Sequence, residues 1–132
     1  MKKILCVILA ALLLMTLAGC SAVRIQSGAT GKVVYHYNGV SFEDDLTPEE
    51  VAAVSDILNG KQQEMNLQEG IPSCGFNREI AIIIDGTRYA LACDKCGTLQ
   101  NCSNLRYISV SDAERQVLET IFTSRGGKFP CI

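Results

Sequence analysis

Two dipeptides, Asn38-Gly39 and Asp85-Gly86, each sit between runs rich in apolar and β-branched residues. A two-residue hairpin loop of type I′ needs positive φ at both central positions, and Asn-Gly and Asp-Gly meet that demand with the least strain. Placing the turn also places the register. The first hairpin, over 32–43, pairs Tyr37 with Val40 and Tyr35 with Phe42. Val33, Tyr35, Tyr37, Val40 and Phe42 then share an apolar face, while His36, Ser41 and Glu43 share the other, Val34 being the exception. The second hairpin spans about 78–93 and pairs Ile84 with Thr87, Ile82 with Tyr89, Ile80 with Leu91 and Arg78 with Cys93. Its second face carries Ala81, Ile83, Ala90 and Ala92. The four tyrosines all fall on strands, at the core edge or on a binding face.

Two helices carry equally local signals. Thr47 caps a helix from Pro48 to about Asn59, with Pro48 at the first helical position and Glu50 closing a capping box. Leu46 before the cap packs on Val51 as a hydrophobic staple. Val51, Val54, Ile57 and Leu58 form the buried stripe, and Gly60 ends the helix. Ser111 and Glu114 form a second capping box, followed by a core stripe of Val117, Leu118, Ile121 and Phe122 and a stop at Gly126-Gly127. A strand over 105–109 precedes that helix, and 61–73 reads as a polar loop. The order β-β-α-β-β-β-α predicts an α+β fold, a mainly antiparallel sheet of about five strands with both helices on one face.

The first 20 residues belong to a different kind of sequence. Lys2 and Lys3 precede an apolar run from Ile4 to Leu17, which is too short to span a bilayer. Leu17-Ala18-Gly19-Cys20 then resembles the lipobox of bacterial lipoproteins. That resemblance implies removal of a signal peptide (residues 1–19) and acylation of Cys20, with palmitate among the chains. The protein is then expected on the extracytoplasmic side of a cell membrane or outer membrane, with Ser21 pointing to the latter or to a cell surface. Two acyl chains or more give a stable anchor. Residues 20–31 read as the lipidated cysteine and a short tether reaching under about 40 Å, and 32–132 as a single domain. The mature part, with Cys74-Gly75-Phe76, Cys93-Asp94-Lys95-Cys96 and Phe129-Pro130-Cys131, is similar to small bacterial lipoproteins, a likeness that brings no activity with it.

Charge narrows the partners. The chain has 12 basic and 14 acidic residues, and two of the basic ones are Lys2 and Lys3. The acidic balance argues against nucleic acid and against charge-driven binding to anionic headgroups.

Seven cysteines are many for 132 residues. Cys6 leaves with the signal peptide and Cys20 takes lipid, so Cys74, Cys93, Cys96, Cys102 and Cys131 remain. Outside the cytoplasm such cysteines become disulfides. The hairpin register extends to place Cys96 opposite Gly75, next to Cys74, so Cys74–Cys96 is one candidate bridge. Cys93, on the apolar face, is within reach of Cys131, which leaves Cys102 as the odd thiol. Two other chemistries use the same residues: a redox pair at Cys93 and Cys96, or zinc held by Cys93, Cys96 and Cys102 with Cys74 or Cys131. The C-x-x-C follows a strand rather than opening a helix, which disfavours the redox pair. Neither a second C-x-x-C nor a phosphate loop is present. His36 has no nucleophile assigned to it, and Glu43-Asp44-Asp45 lacks the spacing of a calcium loop. The expected function is a non-enzymatic, disulfide-stapled envelope module without cofactor beyond its lipid. It would bind a protein or peptide through an exposed sheet face or edge.

Overall fold

The computed structural model describes residues 21–67, 72–73 and 75–129. The leader, Cys20, Cys74 and Cys131 lie outside them. Six strands, β1 (Gly31–Tyr37), β2 (Val40–Asp45), β3 (Phe76–Ile84), β4 (Thr87–Ala92), β5 (Thr98–Asn101) and β6 (Arg106–Ser109), form one open antiparallel sheet in the order β2-β1-β3-β4-β5-β6. Helix α1 (Pro48–Leu58) follows β2 and α2 (Asp112–Thr123) follows β6. The fold is α+β, as the element order predicts, with a sixth strand. That strand, Thr-Leu-Gln-Asn, is short and polar. Its neighbours β4 and β6, rather than its own composition, hold it in the sheet.

The local signals act as expected. Asn38, Gly39, Asp85 and Gly86 all have positive φ, and both capping boxes form in full, with Pro48 opening α1. Both helices pack on one face of the sheet. Val33, Tyr35, Ile80, Ile82, Ile84, Tyr89, Leu91, Leu99 and Ile108 face Val54, Ile57, Leu58, Leu118, Ile121 and Phe122 in a single core. The rings of Tyr35 and Phe42 stack at 5.1 Å, and Phe129 meets Phe122 edge-on.

Three expectations are corrected. Val117 is 44 % exposed, and Arg115, 4 % exposed, takes its place on the inner stripe of α2. In the second hairpin the predicted register holds from Ile84↔Thr87 to Ala81↔Ala90 and then shifts, so that Phe76 faces Ala92. The Arg78–Cys93 pairing therefore does not form. The Gly75 carbonyl accepts from the Cys93 N–H at 3.0 Å, so Gly75 lies against Cys93 rather than Cys96. The expected Cys74–Cys96 and Cys93–Cys131 bridges each involve a cysteine outside the described residues.

The third correction concerns residues 21–31, which are not a free tether. Val23 is 3 % exposed and belongs to the core, with Ile25 and Ala29 packed against it. Val23 N–H donates to the Lys61 carbonyl, Gly60 N–H to the Val23 carbonyl and Gln63 N–H to the Ser21 carbonyl. The segment continues the sheet outward, because Glu64 in turn bridges Tyr107 on β6.

Candidate functional site

The packed N-terminal segment forms one wall of a concavity. Its two ends are held by side chains from elsewhere. Asn59, just past α1, accepts from Ile25 N–H at 3.0 Å, and the Asp85 carboxylate in the second hairpin turn accepts from Gln26 N–H at 3.3 Å. Between them the chain turns, with Ala29 N–H on the Gln26 carbonyl and Gly28 at φ +78°. It enters the sheet at Gly31, where a Cβ would lie 2.7 Å from Leu46 Cδ1 and 3.0 Å from the Ile83 carbonyl oxygen. A side chain there would have to displace Leu46 and crowd the Ile83 carbonyl. The result is a groove of about 990 Å³ between residues 25–31 and the exposed side of α1. Ile25, Ala29, Leu46, Val51 and Ala52 give it an apolar lining, with Ser55, Asn59, Lys32 and Asp45 among its polar residues. An apolar cleft with a few polar groups is the usual form of a binding site. The sequence signal for it is the alternation Val23-Arg24-Ile25, buried, exposed, half-buried, easily passed over in a run this short.

The sheet edges are less open. Strand β2 is terminal in the sheet, but Glu43, Asp44 and Asp45 line it. Lys32 pairs with Glu43 and Asp45, and Arg125 with Asp44. Charges along an edge discourage addition of another strand. At the opposite edge, Tyr107 on β6 already exchanges two 2.8 Å hydrogen bonds with Glu64. The tyrosines divide accordingly: Tyr35 and Tyr89 are core residues, Tyr37 is exposed at the hairpin tip, and Tyr107 meets Phe76 at 5.7 Å.

The cysteines form a structural corner. Cys93 is buried at the end of β4, on the core face. Burial pushes its thiol pKa up, with the nearby Asp94 charge acting in the same direction, the opposite of what a reactive thiolate needs. The Asp94 carboxylate accepts from Ser73 N–H at 2.7 Å, Ser73 Oγ at 3.1 Å and Cys96 N–H at 2.9 Å. Burial works against that charge, but the hydrogen bonds from Cys96 and Ser73 outweigh it and hold its pKa low. Arg115 reaches the corner from α2, donating to the Ala92 carbonyl at 2.9 Å and the Cys96 carbonyl at 2.6 Å. The C-x-x-C is thus a turn locked by an acid and a guanidinium. Cys102 is buried separately, its N–H on the Arg88 carbonyl. Among the described residues no disulfide joins Cys93, Cys96 and Cys102, and no three His, Cys, Asp or Glu side chains converge on one point.

One juxtaposition escapes sequence inspection although the register contains it. His36 and Ser41 face each other across the first hairpin. Ser41 Oγ contacts His36 Nδ1, and Glu79 Oε2 lies 3.9 Å from His36 Nε2. A serine–histidine–acid relay places Nε2 on the serine and Nδ1 on the acid. Here the order is reversed, and both the imidazole and the carboxylate are exposed to solvent. The arrangement is that of a cross-strand contact.

No family model, curated protein or solved structure matches this chain.

Proposed function

We propose that the protein is a lipid-anchored envelope lipoprotein whose domain is a non-enzymatic binding module, and that the groove between residues 25–31 and α1 receives an extended apolar peptide segment of another envelope protein. The observation that carries this reading is the groove itself. The backbone leading from the lipidation motif is folded into one of its walls, so the anchor and the binding surface belong to one rigid unit. Its volume lies at the upper end of the range for ligand clefts. The guarded edges of β2 and β6 leave it as the better docking surface. The raised thiol pKa of Cys93 counts against a thiol-redox role.

A photo-reactive residue at Ser55, on the groove wall, tests the proposal in intact cells. Adducts at Ser55 that are absent with the same probe at Val40, and that disappear when Ala52→Trp fills the groove, are expected. Equal adducts at both positions, or adducts that survive Ala52→Trp in a protein of unchanged melting temperature, would overturn it. Mass analysis of the mature protein tests acylation of Cys20 directly.

A further inference from the structure

Leu105 combines two penalties. Its φ is +58°, a left-handed conformation that non-glycine residues other than Asn, Asp and His seldom adopt. Its side chain is also 61 % exposed and makes no contribution to the core. Glycine or asparagine would serve the β5–β6 turn with less strain. Met65 is the most exposed large apolar residue described, at 75 %.

The two belong to the same rigid edge. Glu64 pairs with Tyr107 in an antiparallel bridge, which sets Met65 opposite Arg106 and Leu105 one residue further along the same edge. Gln63 Oε1 accepts from Asn101 Nδ2 at 2.8 Å and from Asn104 Nδ2 at 3.2 Å, clamping the strip to the turn. The chain arriving from the lipidation motif runs along this strip. Val23 lies against Lys61 and Ser21 against Gln63, one residue from Glu64 and two from Met65. Cys20 is one peptide unit from Ser21, about 3.8 Å between Cα atoms. A lipid on Cys20 therefore leaves the domain no slack.

We infer that the Met65–Leu105 edge is a bilayer-contact surface, seated in the headgroup–acyl boundary beside the anchor. This inference rests on Cys20 carrying the lipid. Two exposed apolar side chains on one edge gain burial at the interface that they lack in solution, which gives the strained, exposed leucine a purpose. The contact also fixes the orientation of the domain. The β6 side lies down, the acidic β2 edge faces away from the membrane, and the protein needs no basic patch to hold that posture.

The chain contains no tryptophan, so single substitutions report position cleanly. Protein expressed with its leader and purified in acylated form is placed in vesicles of phosphatidylethanolamine and phosphatidylglycerol, with and without brominated lipid. The tryptophan of Leu105→Trp is expected to shift to the blue and lose emission to brominated lipid, and that of Val40→Trp, at the far edge, to keep both its wavelength and its intensity. Equal quenching at both sites, or none at Leu105→Trp, overturns the contact. Mass analysis of the same sample separates the two levels. A Cys20 without acyl chains sinks the lipoprotein reading, whereas an acylated Cys20 with an unquenched Leu105→Trp sinks only the bilayer contact. Leu105→Gly is expected to keep or raise the melting temperature. A clear fall would show that the side chain serves the fold and would remove the argument.

Discussion

Tyr35 carries more of the fold than its place in an alternating strand suggests. Its ring stacks on Phe42, and its hydroxyl accepts from Lys128 N–H at 2.9 Å and donates to the Lys128 carbonyl, pinning the tail to β1. Tyr35→Phe leaves both backbone groups without that partner and is expected to cost about 1–2 kcal/mol, measured by urea unfolding. Arg115 is the stronger case. A buried guanidinium that donates to two carbonyls and to Glu119 at 2.7 Å, 5.5 Å from the Phe129 ring centre, joins α2 to the cysteine corner. Arg115→Met is expected to cost about 3 kcal/mol, because Ala92 and Cys96 lose their donor. A loss under about 1 kcal/mol would match only a surface charge. Neither role is legible in sequence, since the partner carbonyls lie 19 to 93 positions away.

Elements whose signals are local behave as the sequence predicts. A capping box involves residues three apart, and a type I′ turn involves two, so composition at those positions decides them. Thr47→Ala and Ser111→Ala are each expected to cost about 1 kcal/mol, seen as a lower midpoint in thermal unfolding. Strand β5 and the irregularity in β3 are different. Thr98–Asn101 is a strand because β4 and β6 supply its partners on both sides. The shift between Phe76 and Ala81 depends on how β3 meets the end of β4. The close approach at Gly97, where a Cβ would lie 2.3 Å from the Val110 carbonyl oxygen, belongs to the same long-range fit.

At the scale of the whole molecule, ion pairs tie the two helices antiparallel. Arg125 near the end of α2 grips Glu50 in the first turn of α1 through two 2.8 Å hydrogen bonds, and Lys61 beyond α1 meets Glu114 at the start of α2 at 2.9 Å. Hydrogen bonding to Arg125 holds the Glu50 pKa below its ordinary 4.5, and Lys61 does the same for Glu114. A carboxylate with a lowered folded-state pKa stabilises the fold above its unfolded pKa, and that share is lost as pH falls through the folded value. Thermal stability is therefore expected to decline below about pH 4.5, and less steeply in Glu50→Gln, compared by calorimetry at neutral pH and at roughly pH 3. The packed N-terminal segment has its own test. Val23→Ala is expected to cost about 2 kcal/mol, whereas a free tether would show no effect in urea. The sequence by itself determined the two hairpin turns, the two capped helices, the alternating faces and so the α+β class, because each follows from preferences between near neighbours. Only the tertiary structure decided that Val23 completes the core, that Arg115 is buried, that Gly75 meets Cys93 and that a groove opens beside α1. Each of these depends on groups distant in sequence satisfying one another's hydrogen bonds and filling one another's space.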